Sequence, residues 1–181
     1  MTLSRLNILY SHLNRTSYYY DPASSTHHGN YEGGLYEHSR NVARNLQLLT
    51  DKLELEWEHP DSPEIIGIAH DVCKIGQFIH ADDLGYVKNP YHPSGHGDLS
   101  VDRVSQWIRL SKEEIACIRW HMGAYTPELK ESPTLKKDIQ KSWSDFQKAI
   151  QEKKYGRQIY FTHVADMMAT NFDEVPEEAS S

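Results

Sequence analysis

With 181 residues, the chain has room for one domain with a proper core and is cramped for two. Its formal net charge of −7 excludes a broad basic surface for gripping duplex nucleic acid, while 38% hydrophobic and 25% charged residues are ordinary for a soluble globular protein. A nucleotide ligand stays open, because metal ions and a few basic side chains can supply local positive charge on an acidic protein.

Strand signals are scarce and helical periodicity recurs along the chain. Residues 2–13 predict a first short helix with Leu3, Leu6, Leu9 and Leu13 on one face. The Ser-, Tyr-, His- and Gly-rich segment Ser17 to Asn30 reads as a loop. In it, Tyr18, Tyr19 and Tyr20 suit packing against a bundle better than stacking on a base. The clearest helix runs from about Gly34 to Leu53. Its stripe Leu35, His38, Val42, Leu46, Leu49, Leu53 follows helical spacing, which sets His38 among apolar residues. Ser62-Pro63-Glu64 predicts the next helix start, with Ser62 as cap, and that helix runs through Ile65, Ile66, Ile68 and Ala69 into His70-Asp71.

Residues 76–97 hold several glycines and prolines and read as an irregular loop, with His96 between Gly95 and Gly97. Asp98 or Ser100 would then cap a helix through Trp107 and Ile108. Ser111-Lys-Glu-Glu is a capping box for a helix ending near His121-Met122-Gly123. A second loop is expected over 124–134, then polar helices at about 135–152 and 157–170. The expectation is an all-α, single-domain helical bundle over 1–172, with an acidic, frayed tail over 173–181.

The two cysteines, Cys73 and Cys117, are too few for a disulfide framework or a cysteine-based zinc site and read as small packing residues. No apolar run is long enough for a membrane span, and the first residues lack a signal-peptide core, so a cytoplasmic address is expected. Eleven histidines is an unusual number.

Their positions organise the functional reading. Adjacent residues on a helix diverge by about 100°. His70 and Asp71 therefore converge on one point only where the helix end distorts or a bound group holds them. A divalent ion is a suitable holder, since imidazole and carboxylate are good ligands for borderline and hard cations. Taken singly, each residue has a plainer account: a surface pair for His70-Asp71, a hydrogen-bonded core histidine for His38. Asp166 shares a helix face with Ile159, Thr162 and His163, and His121 shares one with Ile115 and Ile118. Buried carboxylates are rarely left without a partner. Together the plainer accounts would require several inward-facing titratable groups with no common purpose.

His38, His70-Asp71 and Asp166 resemble the H…HD…D signature of the HD superfamily of metal-dependent phosphohydrolases. The elements are separated by 70 − 38 = 32 and 166 − 71 = 95 residues. The lead-in His27-His28-Gly-Asn-Tyr-Glu-Gly-Gly-Leu-Tyr-Glu-His38-Ser resembles that of a branch including bacterial 3′→5′ exoribonucleases and phage-type HD hydrolases. His70-Asp71-Val-Cys-Lys74 is similar to the HDxxK form. His96-Gly-Asp-Leu-Ser-Val and Arg119-Trp-His121-Met-Gly resemble the additional histidines of a two-metal subgroup. The likeness spans roughly residues 27–170.

It implies that His38, His70, Asp71 and Asp166 hold a first divalent ion, and that Asp71 bridges to a second held by His96 and His121. Mn, Fe, Co, Ni, Zn and Mg are not distinguished. It further implies catalysis at Asp71 with Lys74, a metal-activated water, and a phosphorylated substrate such as a nucleotide or short oligonucleotide contacted by Lys74. His28 and Tyr31 are placed to close over substrate as a lid, though an ordinary aromatic loop fits them equally. A homo-oligomer is compatible with the likeness. Two other readings stay open: a mixed-valence diiron oxygenase of the same superfamily acting on a small polar substrate, and a metal-stabilised binding domain without turnover.

Overall fold

In the computed structural model the described residues are 4–26, 29–93, 95–124 and 135–173, with side chains left aside over 135–139. Seven α-helices account for most of them: α1 (Arg5–Leu13), α2 (Gly34–Leu53), α3 (Ser62–Ala69), α4 (His96–Ser105), α5 (Lys112–Trp120), α6 (Leu135–Gln151) and α7 (Gly156–Met168). A 3₁₀ turn, Val72–Lys74, follows α3, and a π turn, Ala169–Asp173, extends α7. The mainly helical architecture matches the periodicity of the sequence.

Long α2 is the central strut. Gly33 enters it in the left-handed region (φ +85°), a conformation open to glycine because it lacks a Cβ, and Glu54 leaves it at φ +51°. The face carrying Leu35, His38, Val42 and Leu46 is fully enclosed, whereas Leu53 at its end is exposed. α2 packs chiefly on α3 and α7, and α5 packs on both α4 and α7. Between them lies one apolar core that includes Leu9, Leu13, Ile65, Ile66, Ile68, Val104, Ile118 and Ile159. Tyr18 is wholly buried, with its hydroxyl donating to the Ile68 carbonyl at 2.9 Å; Tyr20 is exposed.

Several boundaries differ from the sequence expectation. The first helix begins at Arg5, capped by Ser4, whose hydroxyl accepts from the Asn7 amide at 3.2 Å; residues 1–3 lie outside the described residues. The N-cap of α3 is Asp61, not Ser62. Ser62 is drawn inward, because its hydroxyl donates to buried Glu114 at 2.8 Å. Glu114 is a shared anchor. It completes the expected capping box with Ser111 and accepts both arms of the Arg5 guanidinium, at 2.9 and 3.0 Å. One carboxylate thereby ties α1, α3 and α5 together.

The 76–97 segment is not an irregular loop throughout. Phe78–Ala81 (β1) and Gly85–Lys88 (β2) form an antiparallel hairpin, with Ile79 opposite Val87 and His80 opposite Tyr86. Its four-residue strands are half-exposed and too short for a readable alternation, and the flanking glycines and prolines masked them. The following helix also starts earlier than expected. Gly95 at φ +109° is its N-cap and His96 its first residue, so His96 sits on a helix end, not in a loop. Most of the expected 124–134 loop, residues 125–134, lies outside the described residues. Asp173, expected to open a frayed tail, closes the π turn and pairs with Arg44 at 2.9 Å and with the Asn45 amide at 2.7 Å. Residues 174–181 lie outside the described residues.

No helix among the described residues is long and apolar enough to cross a membrane.

Candidate metal centre

The backbone leaves the helical conformation between His70 and Asp71. His70 ends α3 with helical angles, and Asp71 follows at φ −108°, ψ 14°, outside the helical region. That break removes the 100° divergence of neighbouring helical residues and turns both side chains into one interior space. His38 arrives there from the buried face of α2, His96 from the first turn of α4, His121 from the end of α5 and Asp166 from α7. Six side chains from five segments therefore converge, and all six are buried, between 0% and 8% exposed.

Two glycines make the convergence feasible. At Gly67 a Cβ would run into the Ala43 backbone, so α3 can lie against α2 only without a side chain there. This contact brings His70 Nε2 to 3.2 Å from His38 Nε2. At Gly97 a Cβ would strike the Arg119 carbonyl, so the same device joins α4 to α5 and sets the His96 and His121 rings 5.0 Å apart.

The Asp71 carboxylate divides the cluster in two. Its Oδ2 lies 3.6 Å from His38 Nε2 and 3.4 Å from His70 Nε2. Its Oδ1 lies 3.0 Å from His96 Nε2 and 3.6 Å from His121 Nε2. Asp166 edges the first group, with Oδ1 3.2 Å from His38 Nε2 and 4.0 Å from His70 Nε2. Ligands about 2.0–2.2 Å from a shared cation stand roughly 3.0–3.5 Å from one another. Three of these six separations fall within that spacing and two more, at 3.6 Å, lie just beyond it. His38, His70 and Asp71 could hold a metal ion, and so could Asp71, His96 and His121.

The chemistry of the donors agrees. Asp71 Oδ1, His96 Nε2 and His121 Nε2 are buried with no aligned hydrogen bond, although they lie close together. Buried polar atoms left so are costly, and a shared cation would satisfy all three. His70 and His121 are also locked in the required tautomer. Each Nδ1 donates to a backbone carbonyl three residues back, Gly67 and Ile118, both at 2.7 Å, which leaves Nε2 as the lone-pair nitrogen facing the cluster.

Lys74, carried by the 3₁₀ turn, lies 2.7 Å from Asp71 Oδ2. Burial opposes ionisation of Asp71, but Lys74 and then His70 and His96 outweigh it and hold the carboxyl well below its usual range. Burial likewise opposes the Lys74 ammonium, and Asp71 more than compensates, raising it. Asp166, similarly buried, is held far below the usual range by the hydrogen bond and charge of His38. Burial disfavours charged His96, yet Cys73 and Asp71 push it up to about 9.

All six residues expected as metal ligands are thus brought together, with Lys74 beside them. Tyr31 is 44% exposed ahead of α2, and His28 lies outside the described residues. The sequence reading missed three supporting features: the glycine contacts at Gly67 and Gly97, Cys73 Sγ lying 3.3 Å from His96 Nδ1, and His163 Nδ1 donating to the His121 carbonyl at 2.7 Å. The spacing His96, Ser100, Arg103 on one helix face could have revealed part of this, had the helix start been placed correctly. Comparison of the chain with family models, curated proteins and solved structures returned no match.

Proposed function

We propose that this chain is a metal-dependent phosphohydrolase of the HD type, hydrolysing a phosphate ester or anhydride of a nucleotide or short oligonucleotide. The observation that carries the reading is the division of Asp71: one carboxylate oxygen toward His38 and His70, the other toward His96 and His121, with Lys74 alongside. A carboxylate so placed suits two cations held side by side. His38, His70, Asp71 and Asp166 would hold one, and Asp71, His96 and His121 the other.

Divalent cations there would make water nucleophilic near neutral pH and neutralise phosphate oxygens. The chain's own residues do the rest. The fixed tautomers of His70 and His121 pre-orient donors, so little reorganisation is needed on loading. Lys74 is a flexible point charge suited to a substrate phosphate.

The test is phosphate release from a nucleotide and short-oligonucleotide panel by manganese- or cobalt-loaded protein. Lys74→Met should keep its metal and lose about 100-fold in kcat/KM. No release from any substrate, with bound metal confirmed, sinks the hydrolase reading. The six His/Asp donors suit iron equally well, so a substrate-responsive mixed-valence diiron resonance signal would favour an oxygenase instead.

A further inference from the structure

The 3₁₀ turn beyond Asp71 is clasped by a single face of α4, formed by His96, Ser100 and Arg103 at helical spacing. Ser100 Oγ accepts from the Cys73 amide at 3.0 Å. One nitrogen of Arg103 donates to the carbonyls of Val72, Cys73 and Ile75, at 3.1, 3.2 and 3.1 Å. The third contact is made by side chains, His96 Nδ1 to Cys73 Sγ at 3.3 Å, with both residues buried.

His96 differs here from two of its neighbours. His70 and His121 each stand at a helix end and anchor Nδ1 on a carbonyl one turn back in their own helix. His96 is the first residue of α4, so no helical turn precedes it. Its Nδ1 instead meets another segment, at the sulfur of Cys73. Nε2 of the same ring lies 3.0 Å from Asp71 Oδ1, and neither atom has an aligned hydrogen bond; with a cation bound there, an Nδ1–H directed at the sulfur would leave the Nε2 lone pair free to ligate.

We propose that Cys73 is a positioning residue for His96, and that its sulfur selectively sets the affinity of the cation site formed by Asp71, His96 and His121. This rests on the two-cation reading above. Partners of the second ring nitrogen orient a ligating histidine and raise its basicity, and their loss typically weakens metal binding about 10- to 100-fold. A thiol is a weak hydrogen-bonding group, so His96 is held less firmly than His70 or His121, whose Nδ1 atoms donate to carbonyls.

The test uses the full chain titrated with cobalt(II), reading equivalents bound and the paramagnetically shifted, exchangeable N–H protons of the ligating imidazoles. The variants are Cys73→Val, which removes the partner, and Cys73→Ser, which returns a shorter polar group. Cys117→Val, a buried thiol elsewhere, is the control. Wild type and Cys117→Val should bind two equivalents. Cys73→Val should bind the first normally and the second about 10- to 100-fold more weakly, with Cys73→Ser between. The His96 N–H, assigned by its loss in His96→Gln, should shift or exchange faster in Cys73→Val while the other imidazole protons stay in place. Normal binding of both equivalents by Cys73→Val with an unmoved His96 proton overturns the role of Cys73 alone. Wild type that binds no cobalt overturns the two-cation reading and this inference with it. Should Cys73→Val not fold, Cys73→Ser decides: a weakened second equivalent supports the role, and wild-type binding overturns it.

Discussion

Asp71 meets Lys74 at 2.7 Å on one carboxylate oxygen and His96 at 3.0 Å on the other. The first contact is a buried ion pair, and loss of one member of such a pair typically costs about 3 kcal/mol because the survivor is left uncompensated. Lys74→Met should therefore lower the stability of chelator-treated protein by about that amount. Added manganese should remove most of the difference, since a cation at Asp71 takes over the compensation. Paired thermal melts with and without metal measure this. An equal deficit in both conditions would count against a cation sharing Asp71. The residues concerned were legible in the sequence because carboxylates and imidazoles on apolar helix faces are costly without a purpose. Cys73 was not, because its role depends on a neighbour 96 − 73 = 23 residues away.

At the level of elements, α5 shows how one helix start serves both fold and site. Ser111 and Glu114 cap it, and Glu114 also binds Arg5 and Ser62. Beside it, buried Glu113 accepts the Glu58 amide at 2.8 Å. Burial first, then the charges of Glu58 and Glu114, raise the Glu113 carboxyl above its usual value despite that hydrogen bond. The native state then holds this proton more tightly than the unfolded chain, so stability falls as pH rises through the window from about 4.5 upward. Glu113→Gln keeps an acceptor and does not titrate. Its midpoint in urea should exceed that of wild type at pH 7, and the gain should shrink at pH 4. A gain of equal size at both values would refute the burial account. The capping box was readable from four adjacent residues, whereas the hairpin and the start of α4 were not, since short half-exposed strands and a glycine N-cap carry little local pattern.

For the whole molecule, the decisive feature is that two close helix contacts each bring one histidine pair together. Gly67 lets α3 meet α2 at Ala43, and Gly97 lets α4 meet α5 at Arg119. A methyl group at either glycine should cost about 1–3 kcal/mol by overpacking. Its functional effect should be selective. Gly67→Ala should weaken the cation site of His38 and His70, and Gly97→Ala that of His96 and His121. Metal titrations of the two variants provide the measurement, with identical, unperturbed uptake in both as the outcome that would discredit this division. Shared Asp71 sets the limit of the selectivity, because any large shift of its turn reaches both donor groups.

The sequence by itself determined the helical class, the extent of α2, the capping box of α5 and the identity of six inward-facing donors. Those features depend on periodicity, on caps within a few residues, and on the cost of burying charge, all of which are local or additive. Only the tertiary structure decided that the backbone breaks at Asp71, that its two oxygens face different histidine pairs, and that Cys73 Sγ lies against His96 Nδ1. These depend on helix-to-helix distances that two glycines permit, and spacing along the chain does not encode such distances. The donor set was thus legible residue by residue, while its division into two groups about Asp71 belongs to the packing of α2, α3, α4 and α5.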